Sequence, residues 1–276
     1  MPERPPDLPE FDRPPLVEVA IGLQFEAVPQ MRQGHVGLFW AQIRDQYPNT
    51  RDLPPLPSGR EDLEGDGPVF TFQVSDVPEL HRAWFLSDDE TTLVQVQSDR
   101  LVHNWREVRG EPYPRFETIY ATFAERLGQF ESVLRDSQVP ALTPQQVEVT
   151  YINWIGTDSL ADFFLPAQPL SLELPGIADR ADDEAMTLRF PVTADDGLIG
   201  RLYLQAGPGL RRSPGLAVPG TPERGFLMSL SFKAPVPVTA GASNLEDLMY
   251  RGRNAIVRVF TALTKPSWHE TWGRTQ

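Results

Sequence analysis

Two strand-like segments carry the polar side chains best suited to chemistry. The segments are LVHNWR (101–106) and VEVTYINWI (147–155), and the residues are His103, Asn104, Arg106, Tyr151 and Asn153. Imidazole, amide, guanidinium and phenol groups together suit the binding of a carboxylate or another polar ligand. If both segments lie in one sheet, residues of the second can approach one face of the first. The sequence therefore predicts a ligand-binding site built from these five residues.

An ordinary structural role is the alternative for the same residues. Side chains alternate between the two faces of a strand, so His103 lies on one face while Asn104 and Arg106 lie on the other. Arg106 could pair with a carboxylate such as Glu148, and Asn104 could hold a loop in place. His103 as a general base would need an orienting partner and a nucleophile, and the sequence names neither. An enzyme with an unrecognised site around the five residues is therefore the second hypothesis.

A weaker candidate for anion binding is the segment GPGLRRSPG (207–215), which combines glycines with Arg211 and Arg212. It lacks the strand-then-helix context that aims backbone N–H groups at a phosphate. The chain has no G-x-x-x-x-G-K-[ST] or G-x-G-x-x-G cradle and no G-x-S-x-G nucleophile elbow. The common phosphate-binding and serine-nucleophile signatures are thus missing.

Metal and thiol chemistry find no support in the sequence. The histidines show neither H-x-H nor H-x-x-x-H spacing, and cysteine is absent. The acidic runs 88–90 and 182–184 fall in predicted turns, where solvated charge is the ordinary explanation. We expect no metal site and no cofactor.

The formal net charge of −13 opposes nucleic-acid binding, because such binding relies on clustered Lys and Arg that displace counterions. A local arginine surface on the last predicted helix, at Arg251, Arg253 and Arg258, is the counter-hypothesis. Glu246 and Asp247 in the first turn of that helix oppose it. No apolar run is long enough to span a bilayer, and the first residues lack a signal-peptide core. We expect a soluble cytoplasmic protein without a membrane partner.

Hydrophobic periodicity predicts the elements that must position these residues. Strands are predicted at 16–25, 69–74, 82–89, 91–99, 100–106, 147–155, 185–193, 198–207 and 225–236. Helices are predicted at 30–47, at 114–137, at 159–164 and from a capping box at Ser243 and Glu246. The helix 114–137 has the clearest apolar stripe, formed by Ile119, Phe123, Leu127, Phe130 and Leu134. Residues 48–68 and 207–224 are predicted to be mobile loops.

The order of these elements predicts an α+β fold made of two pseudo-repeated β-α-β(3–4)-α halves. The halves would form a curved antiparallel sheet with the helices on one face, a shape like that of the TATA-box-binding protein. That comparison concerns shape alone. Two separate α+β domains are the alternative. The expected organisation is a disordered proline-rich leader (1–15), an N-terminal half (16–140), a C-terminal half (141–265) and a tail (266–276).

Short segments along nearly the whole chain support a resemblance. They are RPPLVEVAIGLQF (13–25), HNWR (103–106), YPRFE (113–117), YINWI (151–155) and AIVRVFTALT (255–264). These segments resemble those of a sporadically distributed prokaryotic family of about this length with no assigned activity. The resemblance implies one whole evolutionary unit and no catalytic residues. By analogy with standalone accessory genes, it implies a role in a bacterial defence or stress system.

The sequence favours a soluble, non-enzymatic binding or regulatory protein. Recognisable reaction motifs are missing, and the predicted architecture leaves one sheet face without helices. That open face, or the groove between the halves, would engage a protein partner or a small ligand.

Overall fold

The structure is a computed structural model. It describes residues 4–57, 59–64, 69–70, 80–167, 184–194, 197–211, 222–237 and 241–276. The strands are β1 (Leu16–Phe25), β2 (Asn49–Leu53), β3 (Gly59–Arg60), β4 (Val69–Phe70), β5 (Arg82–Leu86), β6 (Thr92–Gln97), β7 (Arg100–Arg106), β8 (Pro144–Ile155), β9 (Met186–Ala194), β10 (Gly197–Arg211) and β11 (Glu223–Pro235). The helices are α1 (Gln33–Ile43), α2 (Phe116–Asp136), α3 (Leu160–Phe163), α4 (Ala242–Leu263) and α5 (Pro266–Thr271).

One large antiparallel sheet organises the chain. Its nine strands lie in the order β2-β5-β6-β7-β1-β8-β11-β10-β9, and β3 pairs separately with β4. β1 and β8 are hydrogen-bonded neighbours, with Ala20 opposite Thr150 and Gly22 opposite Glu148. The predicted α+β class with an antiparallel sheet is therefore confirmed. The alternative of two domains with separate sheets is wrong, because this pair joins both halves.

The helices cover one face of the sheet. The ring of Phe39 in α1 lies 6.1 Å from that of Phe85 in β5, and Phe130 in α2 lies 6.3 Å from Phe25 in β1. α4 contacts β8, β10 and β11. Residues directly opposite in an antiparallel ladder share a face. One such row of buried side chains under the helices is Phe85, Val94, His103, Ile21, Val149 and Phe232.

We call the opposite side of the sheet, on which no described helix lies, the open face. One of its rows is Trp84, Gln95, Val102, Gly22, Glu148, Lys233 and Arg201. Most of these side chains are only half-buried, in contrast to the row under the helices. The strand alternation expected from the sequence thus separates an apolar face from a polar one.

The apolar stripe of α2 lies in the core, as its spacing predicts. Ile119, Phe123, Phe130 and Leu134 are buried, and Leu127 is half-buried. Burying such a side chain contributes about 1.5–3 kcal/mol before the entropy cost of ordering it. α2 lies within the predicted range, which was two residues too long at its start and one at its end.

Two segments differ from the expected loops. Residues 49–53 form β2 at the edge of the sheet, although they lie in the predicted loop 48–68. β10 extends to Arg211, four residues beyond the end of the predicted strand. In the described part of the predicted loop 207–224, residues 207–211 therefore belong to β10 and residues 223–224 to β11.

The described part of the leader is packed against the C-terminal segment, contrary to the expectation of disorder. Leu8 and Phe11 are buried, and Phe11 forms a β-bridge with Arg274. The ring of Phe11 lies 5.7 Å from that of Phe260 in α4. The tail, unassigned in the sequence, contains α5, which begins at Pro266. The leader is held in place in part because the ring of Phe11 packs between Phe260 of α4 and His269 of α5.

Candidate functional site

The structure divides the five predicted site residues between the two faces of the sheet. His103 lies opposite Ile21 and Tyr151 lies opposite Val19, so both face the helices. Asn153 is two residues beyond Tyr151 on β8 and shares its face. Asn104 and Arg106 lie opposite Ala20 and Glu18, on the open face. The sheet itself thus separates the two groups, and they do not form one site.

His103 is a core residue and is only 1% exposed. Burial and the nearby charge of Arg126 lower the pKa of His103 from 6.5 to about 4, against the effect of a hydrogen bond with the Leu93 backbone. Its Nδ1 atom has no hydrogen-bond partner. A neutral imidazole without an orienting group is not arranged as a general base.

Asn104 joins a polar network on the open face. Gln95 Nε2 donates to Asn104 Oδ1 at 2.8 Å, and Asn104 Nδ2 donates to Glu18 Oε1 at 2.5 Å. The indole N–H of Trp84 donates to Gln95 Oε1 at 2.9 Å. Burial raises the pKa of Glu18, although the bond from Asn104 and the charge of Arg106 counteract the shift. The network presents a half-buried carboxylate at the open face.

Arg106 is held at the end of β7. Its Nη2 atom donates to the Glu90 backbone oxygen at 2.8 Å and lies 3.9 Å from Glu90 Oε2. The ion pair between Arg106 and Glu148, which the sequence suggested as an ordinary structural role, is not formed. Glu148 Oε1 lies 3.7 Å from Lys233 Nζ instead. Arg106 therefore has a structural partner at the β5–β6 turn.

Residues 54–57 and 59–64, which we call the strap, contact one end of the open face. Gln97 accepts a hydrogen bond from the Leu56 N–H at 3.0 Å and donates to its carbonyl at 3.1 Å. Arg100 donates to the Pro57 carbonyl at 3.0 Å, and Gln146 accepts from the Glu61 N–H at 2.7 Å. Side chains of β6, β7 and β8 thus hold the main chain of another segment.

The side chain of Glu61 anchors the strap to β10, further along the same open face. Its carboxylate forms an ion pair with Arg201, 2.5 Å away, and accepts a hydrogen bond from the Tyr203 hydroxyl at 2.6 Å. The Glu61 side chain is fully buried. Burial, followed by the hydrogen bond and charge of Glu61, raises the pKa of Tyr203 to about 12, so this phenol stays a donor at neutral pH. A guanidinium and a phenol on β10 therefore form a carboxylate-binding pair.

The weaker candidate for anion binding, Arg211 and Arg212, is partly occupied by the protein itself. Arg211 forms an ion pair with Glu107. Arg212 lies outside the described residues. The geometry of the described portion therefore gives Arg211 a protein partner and leaves the predicted anion site without support.

The three arginines of α4 do not form an exposed cationic surface. Arg251 pairs with Asp247 at 2.6 Å, and Arg258 pairs with Asp7 at 2.8 Å. Arg253 is buried. The counter-hypothesis of a nucleic-acid surface on this helix loses its basis.

Sequence reasoning missed several of the residues that matter here. Glu61 lies in a segment predicted to be a mobile loop, and Arg201 and Tyr203 are ordinary alternating residues of a strand, so no local signal links them. The sequence position of Arg253 does indicate that it is buried. It lies four residues after Met249 and three before Ile256, inside the apolar stripe of α4, where a cation must be buried.

Among the described residues, no three His, Asp or Glu side chains are grouped as a metal ion would require. No helix in the described ranges combines the length and the apolar character needed to cross a membrane. No protein-family model and no curated protein matches the chain.

Proposed function

We propose that the chain is a non-enzymatic binding or regulatory protein that engages an acidic segment of a protein partner through its open face. The observation that carries the proposal is the strap. Amide side chains of the sheet hold its main chain, while Arg201 and Tyr203 hold the carboxylate of Glu61. These are the contacts that an extended acidic peptide would need.

Charge on the open face also favours an acidic partner. The charged side chains that the register assigns to this face of β5–β7, β1 and β8–β11 are mostly cationic, although the chain as a whole is acidic. The cations are Arg82, Arg100, Arg106, Arg189, Arg201, Arg211 and Lys233, against the carboxylates Glu18, Glu148 and Glu223. Complementary charge steers association and selects partners.

The part of the face around Thr150 and Ser231, where no contact of the described strap residues is seen, is polar. Thr150 and Ser231 lie opposite each other with their hydroxyls 2.8 Å apart, and both are half-buried. Lys233 on the same strand has a side chain that is 32% exposed. A partner segment seated here would continue the row of contacts that the strap begins.

The lysines provide a direct test, because the chain contains only Lys233 and Lys265. A partner would be captured from the producing cells, identified, purified and added back. In that reconstituted complex we expect acetylation of Lys233 to slow several-fold while acetylation of Lys265, between α4 and α5, is unchanged. Lys233→Glu should weaken the complex, and Lys265→Glu is the matched control. Equal protection of both lysines, or binding of a small ligand alone, would contradict the proposal.

The two-fold organisation of the chain belongs to the same proposal. The strand order places β1 beside β8, with β7-β6-β5 on one side and β11-β10-β9 on the other. A helix follows β1 and another follows β8, and α2 and α4 each follow a meander. This supports two pseudo-repeated halves with a shape like that of the TATA-box-binding protein. An experimental structure in which no two-fold rotation superposes the halves would refute it.

The biological setting that we propose, a bacterial defence or stress system, depends on the family resemblance. Genes that recur beside this one would test it. Neighbours drawn consistently from metabolic pathways would contradict it.

A further inference from the structure

A cavity on the helix side of the sheet is distinct from the open face. It lies where the leader crosses the start of α2 and the middle of α4, and it has a volume of about 60 Å³. A water molecule occupies about 30 Å³ in the liquid, so the space suits a group of a few heavy atoms. Two of the residues predicted for ligand binding, Tyr151 and Asn153, line it.

Arg253 is the most deeply buried of the charged residues that line this cavity; the others are Arg4, Glu10, Arg115 and Glu117. Its side chain is 2% exposed, and one nitrogen, Nη1, lies 3.2 Å from Glu117 Oε1. The guanidinium lies 5.3 Å from the ring centroid of Phe116 and 5.5 Å from that of Tyr250. Its Nε and Nη2 atoms have no hydrogen-bond partner. Leaving donors of a buried cation unpaired is costly, so the site is suited to a further acceptor.

Two phenols add a neutral donor. The hydroxyls of Tyr113 and Tyr151 are 2.8 Å apart, and both residues line the cavity. One hydroxyl donates to the other, which leaves one hydroxyl hydrogen for a third group. Burial raises the pKa of both phenols, so they remain protonated at neutral pH. Asn153 is already engaged, because its Nδ2 atom donates to the Met228 carbonyl at 3.1 Å.

The rest of the lining is largely apolar. Phe116, Ile256 and Phe260 contribute to the wall. Buried guanidinium and phenol donors beside an apolar wall match a ligand that has an acceptor anion at one end and hydrocarbon at the other.

We propose that this cavity binds a small carboxylate with a short apolar substituent, with its oxygens bound by Arg253 and the Tyr113–Tyr151 pair. This site is independent of the open face. It combines guanidinium and phenol groups, two of the kinds that the sequence suggested for a polar ligand. The arginine is Arg253 from α4 and not Arg106 from β7.

The test uses the full-length protein and propionate as the probe, followed by ligand-observed NMR and calorimetric titration. Propionamide has nearly the same shape without the charge, and phosphate and chloride report general anion binding. We expect propionate to bind saturably at one site and propionamide to bind about tenfold more weakly or worse.

Variants then locate the site. Arg253→Met should weaken propionate binding about tenfold or more, because it removes the guanidinium donors. The double variant Tyr113→Phe with Tyr151→Phe should weaken it several-fold, because it removes both hydroxyls while keeping apolar volume. Arg251→Met, an exposed arginine on the same helix, is the matched control and should bind as the native chain does. If Arg253→Met fails to fold, the double tyrosine variant still decides. Equal affinities for propionate and propionamide, unchanged binding by the double tyrosine variant, or binding of phosphate alone would overturn the proposal.

Discussion

His103 shows how one buried side chain can couple folding to pH. The folded protein lowers the pKa of His103 to about 4, whereas an unfolded chain has the ordinary value of 6.5. Between these values the unfolded chain takes up a proton that the folded chain refuses, so stability that is present above pH 6.5 is lost as the pH falls toward 4. At 1.36 kcal/mol per pKa unit, the full effect is about 3 kcal/mol.

We therefore expect His103→Leu to lose less stability than the native protein between pH 7 and pH 4.5. Urea unfolding of both proteins at the two pH values would measure the difference. His81→Leu, at an exposed position, is the control. The same pH dependence in native protein and His103→Leu would contradict the assignment.

Two helical glycines should respond in opposite directions to the same substitution. A Cβ atom on Gly252 of α4 would collide with the ring of Phe232, whereas one on Gly128 of α2 would meet nothing within 4 Å. We expect Gly252→Ala to lower the free energy of unfolding by about 1–3 kcal/mol, because the packed ring must move. Gly128→Ala should raise it by about 0.5–1 kcal/mol. Denaturant titration measures both, and stabilisation by Gly252→Ala would show that the ring is loosely held.

The residues of the candidate sites could be predicted only in part. The alternation of β7 and β8 already places His103 and Asn104 on different faces, which the structure confirms. The register between β1 and β8 decides whether Tyr151 lies on the same face as His103. The sequence of a single strand does not contain that information. Glu61 and Arg201 meet because the strap contacts strands from β6 to β10, and local sequence does not encode that path.

At the scale of elements, the strands and helices with the strongest hydrophobic pattern were predicted most accurately. β1 and α2 were predicted within two residues, because their alternating and helical stripes face a core. β2 was missed because its sequence, NTRDL, is polar. Its residues are exposed or half-buried at the sheet edge, where β5 is its only neighbouring strand. Edge strands need no apolar face, so periodicity does not reveal them.

The strap offers a prediction for one element. Glu61→Ala removes the carboxylate that Arg201 and Tyr203 bind, and charge-assisted hydrogen bonds of this kind are worth about 1.5–3 kcal/mol. We expect trypsin to cleave after Arg60 about tenfold or more faster in this variant, because about 1.4 kcal/mol corresponds to a factor of ten in the local opening equilibrium. Glu64→Ala, an exposed carboxylate in the same segment, is the matched control. Equal cleavage rates in both variants would show that the main-chain bonds alone hold the strap.

At the scale of the whole molecule, the leader and the C-terminal segment are joined to each other. Phe11 packs edge-on against Phe260, His269 and Trp272, and the Thr275 N–H donates to the Glu10 carbonyl at 3.0 Å. Phe11→Ala should lower the free energy of unfolding by about 3–5 kcal/mol, because it empties a buried aromatic site. Tryptophan fluorescence during denaturant unfolding measures this free energy of unfolding. Leu38→Ala, at an exposed helical position, should change little, and an equal loss in both variants would contradict the packing.

The central place of β1 has a consequence for how the protein is made. β1 leaves the ribosome well before its two neighbours in the sheet, β7 and β8. Its backbone therefore has neither neighbouring strand until β7 and then β8 have been synthesised, a delay that slows folding and exposes a strand to aggregation. Nascent chains that end before Ile155 should depend on chaperones to remain soluble, and this dependence should fall once β8 has emerged.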